Sequence, residues 1–187
     1  IIELGFLTDS LADVPLGTLR ERFVYLFRKH KPSAVFSFDP FGLYEGNQDH
    51  TRVAQAVEEA LWVACFDKHY PEHFAGGLEP FSVCERWYFA RQLPEINHFE
   101  DVTDTMDKKI QALCAHREMM RNTIPQPRLH LKTFGKKVAL LDEAMTGDMS
   151  ALLGMVMQND GKAMAAKAGW EGETRMAEAF RWSRFGD

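Results

Sequence analysis

An α/β fold, built on a Rossmann-like and mostly parallel sheet with flanking helices, is predicted by three features of the sequence. The first is Ala34 to Leu61, where A-V-F-S-F reads as a short buried strand, Asp39-Pro40 ends it, and a polar loop leads into an apolar-striped helix. The second is a helical pattern from Leu16 to His30, preceded by strand-like Ile1 to Leu7; two strands joined by a helix imply a parallel pair with a right-handed crossover. The third is that alternation continues, with strands at Ser82 to Ala90 and Ile96 to Val102, a helix to Asn122, and a closing strand at Met176 to Trp182.

Each element has a local reason. Leu16, Leu19, Phe23, Leu26, Phe27 and His30 share one helix face, and Lys31-Pro32 stops that helix, because the residue before proline is pushed out of helical geometry. Thr8 to Pro15 is a polar loop. Val53, Ala56, Val57, Ala60, Leu61 and Ala64 recur at three- and four-residue spacing on a helix that starts near Asp49 or His50. Met106, Ile110, Leu113, Arg117 and Met120 line a helix starting at Thr103 or Asp104. Pro125 and Pro127 predict a break, and Val138 to Met157 a helix that Gly147 and Gly154 interrupt.

Composition narrows the class. A chain of 187 residues with 45% hydrophobic content, 14 Phe and 4 Trp can bury a core, which predicts a single α/β domain over residues 1–187. The net charge of −5, without a dense Lys/Arg run, argues against nucleic acid as a partner. The basic cluster Arg28 to Lys31 reads as cations complementing a helix C-terminus, with no partner needed. Three cysteines without C-x-x-C spacing suggest buried free thiols in a reducing cytoplasm, and no run reaches the ~20 apolar residues of a membrane span. His69 and His73 have i, i+4 spacing, but Pro71 between them favours a surface loop.

Asn47-Gln48-Asp49-His50 falls beyond the carboxyl end of the central strand, where ligands bind in such units. A histidine in the first helical turn is disfavoured in its protonated form by the macrodipole, and the neutral imidazole is the form that ligates metal. Asp49 can cap the helix. The alternative is a capping aspartate followed by a surface histidine.

The run D-P-F-G-L-Y-E-G-N-Q-D-H before an Ala/Val-rich helix resembles the LmbE/PIG-L family of zinc-dependent de-N-acetylases. A second agreement is V-T-D-T-M-D-K-K-I-Q-A-L-C-A-H-R, in which Lys109, Ala112, Leu113 and His116 match the family's K-x-x-A-L-x-x-H helix; a third is the closing A-E-A-F. The resemblance implies removal of an N-acetyl group from an amino-sugar substrate, small or part of a glycoconjugate, by metal-activated water. The cofactor would be Zn2+ or another divalent metal such as Fe2+.

It also implies roles. His50 matches the metal-binding histidine that ends the family motif, and Asp49 the aspartate before it. Asn47 stands where the family has an oxyanion-stabilising histidine, and Gln48 where it has proline; an asparagine donates a hydrogen bond but carries no charge. Tyr44 is a second oxyanion donor or a packing aromatic. Asp39, Asp9 and His116 are placed on the substrate side, with a solvated turn as the alternative for Asp9 and a structural role for His116. The family's A-H-P-D-D-E segment, source of the other ligands and the base, is absent from these 187 residues. The start at Ile1-Ile2-Glu3, without methionine, adds the expectation of an upstream portion. A homo-oligomer is compatible with the resemblance.

Two other readings stand beside it. One is a non-catalytic relative that binds a glycan or a protein, supported by Asn47. The other is a nucleotide-binding α/β domain, for which no G-x-G-x-x-G follows a strand.

Overall fold

In the computed structural model, which describes residues 1–145, 149–170, 172 and 174–185, helix α1 (Leu16–His30) ends as its sequence requires. Lys31, ahead of Pro32, adopts left-handed φ/ψ of 47° and 53° and its N–H closes onto Phe27 O. Strand β1 (Ala34–Phe38) follows, then α2 (Gln48–Val63), the short α3 (Glu72–Ala75), β2 (Glu85–Phe89) and β3 (His98–Asp101). Helices α4 (Met106–Ala115), α5 (Arg117–Thr123), α6 (Pro125–Thr133), α7 (Ala139–Ala144) and α8 (Ser150–Lys167) lead to β4 (Ala177–Arg184). The chain divides into two compact units, Ile1–His98 with Ala179–Asp187, and Phe99–Glu178.

The sheet order is β1-β2-β4-β3. The parallel pair predicted across α1 does not form; among the described strands only β1 and β2, connected through α2, run parallel, with Ala34 opposite Glu85 and Phe38 opposite Phe89. Strand β4 runs antiparallel to β2, with Trp87 opposite Trp182. Asn97 N donates to Phe180 O and Val102 N to Met176 O, so β3 also opposes β4. The sheet is therefore mostly antiparallel, correcting the mostly parallel expectation. Strand direction is set by which distant segment returns to the sheet, and β4 returns against β2.

Ile1 to Leu7 is not a strand. An apolar run becomes one only where a neighbour accepts its ladder, and no described strand pairs with it.

In the first unit the core is Val24 and Phe27 from α1, Val57, Ala60, Leu61, Val63 and Ala64 from the α2 segment, and Val83 ahead of β2. The apolar stripe on α2 thus does what its spacing predicts, and its polar first turn is left facing the loops. In the second unit Met120, Ile124, Leu141, Ala144, Met149, Leu152 and Leu153 form a separate core.

Several local expectations change. Arg28 is no solvated helix-end cation: it is 1% exposed and donates to Ala64 O, His69 O and Phe66 O. Its Nη1 also lies 3.1 Å from His73 Nδ1. A guanidinium can only donate, so Nδ1 accepts and His73 carries its proton on Nε2, 2.9 Å from Glu21 Oε1. His73 is thus a buried structural histidine on a helical turn, not part of a surface loop.

The predicted helix through Asn122 breaks at His116, whose φ/ψ of −81° and 55° separate α4 from α5. Pro125 starts α6, since a proline in the first turn has no intrahelical N–H to lose. Gly154 lies inside α8 without interrupting it, and Gly147 lies outside the described residues. Cys65 and Cys84 are exposed and Cys114 half-buried, so the thiols are free but not buried. Among the described residues no helix is long and apolar enough to cross a membrane.

Candidate functional site

The loop between β1 and α2 is built by side chains that satisfy its own backbone. Asp39, at the end of β1, accepts from Phe41 N through Oδ1 at 2.7 Å and from Arg181 Nε through Oδ2 at 2.6 Å. Its side chain has no exposed surface. Gly42 closes the Asp-Pro turn onto Asp39 O, and no larger residue fits, because a Cβ there would lie 2.8 Å from Ala90 Cβ. Leu43 N then donates to Gln92 O, pinning the loop to the segment after β2.

Glu45 begins the approach to the helix. One of its oxygens accepts from Asn47 N at 2.9 Å, and Arg91 Nε lies 3.4 Å from the other. Burial alone would raise the Glu45 pKa, but the Asn47 N–H, the adjacent His50 and Arg91 outweigh it and hold the carboxyl below its ordinary 4.5. A depressed carboxyl stabilises the fold above its unfolded pKa, and that contribution disappears as pH falls through the lower folded value. Glu45→Gln is accordingly expected to flatten the acid limb of a stability–pH curve below pH 4.5, followed by thermal melts across that range. An unchanged limb would refute it.

Asn47, not Asp49, caps α2: its Oδ1 accepts from Asp49 N at 2.9 Å. The expected capping aspartate works across the fold instead. Asp49 Oδ2 accepts from Asp9 N at 2.7 Å and Oδ1 from Leu11 N at 3.0 Å, which ties the loop ahead of α1 to the first turn of α2. The reason is position: the residue two places earlier already satisfies the free helix donor, so the Asp49 carboxylate is available for other N–H groups. The Asp9 side chain is not what makes this contact; its backbone is, at a left-handed φ of 57°.

His50 is held on three sides. Its ring stacks on Phe38 with centroids 4.0 Å apart and an interplanar angle of 12°. Asn47 Nδ2 approaches Nε2 at 3.3 Å, and since Oδ1 of that amide is committed to Asp49 N, the amide donates and Nε2 accepts. Nδ1 then carries the proton. It lies 3.2 Å from Glu45 Oε2, but the approach is too oblique for a hydrogen bond, and the atom is buried without one. The ring suits one ligand position of a divalent cation: in that tautomer the lone pair is on Nε2, where a cation would take the place of the Asn47 amide contact.

It suits one position only. Among the described residues no group of three or more His, Cys, Asp and Glu could hold a metal ion. The Asp39 and Asp49 carboxylates are committed to Arg181 and to backbone N–H groups.

The structure brings Asp39, Asn47, Asp49, His50 and the backbone of Asp9 together at the carboxyl end of β1. Tyr44, in the same loop, has a left-handed φ of 60° and is 81% exposed. His116 lies in the second unit, exposed at the break between α4 and α5. Sequence reasoning missed Glu45, Arg91 and Arg181. Glu45 had a signal, a carboxylate two residues ahead of the helix cap; the arginines reach the site only through sheet pairing.

No known protein-family profile matches the chain. A diacetylchitobiose deacetylase from Thermococcus kodakarensis is 30% identical over 98 residues, 52% of this chain and 36% of that protein. The chain therefore spans about a third of the length of this curated relative. Among solved structures, N,N'-diacetylchitobiose deacetylase from Pyrococcus horikoshii, complexed with an inhibitor, matches with a TM-score of 0.63 and 19% identity, over 92% of this chain and 54% of that one. GalB, a 4-carboxy-2-hydroxymuconate hydratase from Pseudomonas putida KT2440, matches with a TM-score of 0.56 and 17% identity, over 91% of this chain and 60% of the other. The chain thus has the fold shared by these two enzymes, which catalyse different reactions.

Proposed function

We propose that these residues belong to a metal-dependent LmbE/PIG-L-type hydrolase that removes an N-acetyl group from an amino-sugar substrate, with His50 as one of its metal ligands. The observation that carries this reading is His50 itself: an imidazole in the first turn of α2 at the carboxyl end of β1, held by stacking on Phe38, with its Nε2 met by the Asn47 amide alone among the described residues. The 98-residue similarity to a diacetylchitobiose deacetylase supports the substrate class.

In this reading the metal, Zn2+ or Fe2+, supplies Lewis acidity and an activated water when bound, and its remaining ligands and the base come from outside these 187 residues. The chain's own groups orient and polarise. Phe38 fixes the plane of the His50 ring. Asn47 has a second amide proton with which to donate to the developing oxyanion, and Tyr44 is the other donor. Asp49 acts by holding the Asp9 to Leu11 loop against the site, so its role is positioning, as is that of Asp39, whose buried carboxylate shapes the turn; Asp9 remains assigned to the substrate side.

The test uses the full-length protein with N,N'-diacetylchitobiose, measuring acetate release and bound metal. His50→Ala is expected to lose most of both, and a chelator to remove activity that added metal restores. Full activity in His50→Ala would refute the assignment. A binding protein without catalysis is the second reading, favoured because Asn47 Nδ2 sits on His50 Nε2; it predicts sugar binding with no acetate released.

A further inference from the structure

The net charge of −5 hides a strong local asymmetry. From Met119 to Leu141 the chain carries Arg121, Arg128, Lys132, Lys136 and Lys137 and no aspartate or glutamate. Helix α6 and the turn into α7 fold that stretch back on itself. Arg128 Nε donates to Asp142 Oδ1 at 2.6 Å, and Lys136 N closes onto Leu131 O after Gly135, which adopts a left-handed φ of 65°. Arg128, Lys132, Lys136 and Lys137 therefore border one open recess of about 340 Å³ with Leu131 and Leu141, and the one carboxylate in its lining, Asp142, is the one paired with Arg128. Among the described residues none of the three lysines has an ion-pair partner.

The apolar residues here point the wrong way for a core. Leu129 is 60% exposed, Phe134 77% and Val138 41%, although Leu141 beneath them is buried. Basic side chains interleaved with protruding Leu, Phe and Val on a short helix and its turn match an interface with anionic lipid: the cations meet headgroups, and the apolar side chains enter the acyl boundary. A polyanion such as nucleic acid would use the cations but leave Leu129, Phe134 and Val138 in water.

We propose that the α6–α7 turn docks the protein on an anionic lipid bilayer surface, without spanning it. This assignment lies wholly within the second unit and does not depend on the reaction proposed above.

Co-sedimentation of the full-length protein with phosphatidylcholine vesicles, with and without phosphatidylserine, tests it. Binding is expected only to the anionic vesicles and is expected to weaken steeply with salt. Each lysine near such a surface strengthens binding by roughly fivefold, so Lys132→Gln/Lys136→Gln/Lys137→Gln together should weaken it by about a hundredfold. Phe134→Ser, which keeps every charge, should weaken it by about tenfold through lost insertion. All four side chains are exposed, so the variants are expected to keep the parent circular dichroism spectrum. No vesicle binding, equal binding to neutral vesicles, or binding unchanged in the triple variant would overturn the proposal. So would heparin binding without vesicle binding, which would assign the patch to a polyanion.

Discussion

Arg28→Ala is expected to be the most damaging single substitution in the first unit, costing about 3–4 kcal/mol. The guanidinium is the only described group that meets Ala64 O, Phe66 O and His69 O together, and it fixes the His73 tautomer through Nδ1. It also lies over the Phe74 ring at 4.5 Å. Removing it takes the donor from Phe66 O and His69 O where α2 ends, while Ala64 O keeps Phe81 N, and each unmet buried acceptor costs about 1–3 kcal/mol. Arg28→Lys is expected to recover only part of the loss, because one ammonium cannot reach acceptors spread across the planar fork. Urea unfolding followed by tryptophan fluorescence checks both; a loss under ~1 kcal/mol for Arg28→Ala would contradict the network's role.

Asp39→Ala is expected to follow, at about 2–3 kcal/mol, because it leaves a half-buried cation unpaired. Arg181 lies over the Tyr88 ring at 4.1 Å, and its Nη2 already lacks a hydrogen-bond partner, so Asp39 is its one carboxylate neighbour among the described residues. Tyr88 extends the same chain of contacts to Glu58; burial first, and then that hydrogen bond, push its hydroxyl pKa up. Asp39→Asn should cost less, since an amide oxygen can still accept from Phe41 N. The pairing itself is tested by Asp39→Leu combined with Arg181→Met. If the loss comes from the stranded charge, the double variant is markedly more stable than Asp39→Ala alone; if it is no more stable, the turn geometry and not the charge was responsible.

Both residues show where reading the chain stopped. Arg28 looked like a helix-end cation because three of the four residues Arg28 to Lys31 do lie at the surface; burial of the fourth comes from the chain after α2 folding back over it. Asp39 was recognisable as the end of a strand, through its Asp-Pro turn. Its partner lies 142 residues away on β4, beyond any local pattern. The capping of α2 was misassigned by two positions, since Asn47 and Asp49 are both competent caps and only the path of the incoming loop selects between them.

Local periodicity and stop signals were enough to locate α1, β1, α2 and the closing strand, and to put His50 in a first helical turn beyond a strand end. Those features depend on side-chain spacing and on backbone restrictions that act within a few residues. Strand direction, the ties from Asp49 to the Asp9 to Leu11 loop, the orphaned His50 nitrogen and the gathering of Lys132, Lys136 and Lys137 around one recess were decided in three dimensions. Each depends on which distant segment arrives to satisfy a buried donor or leave it unmet, and that choice belongs to the packed chain as a whole.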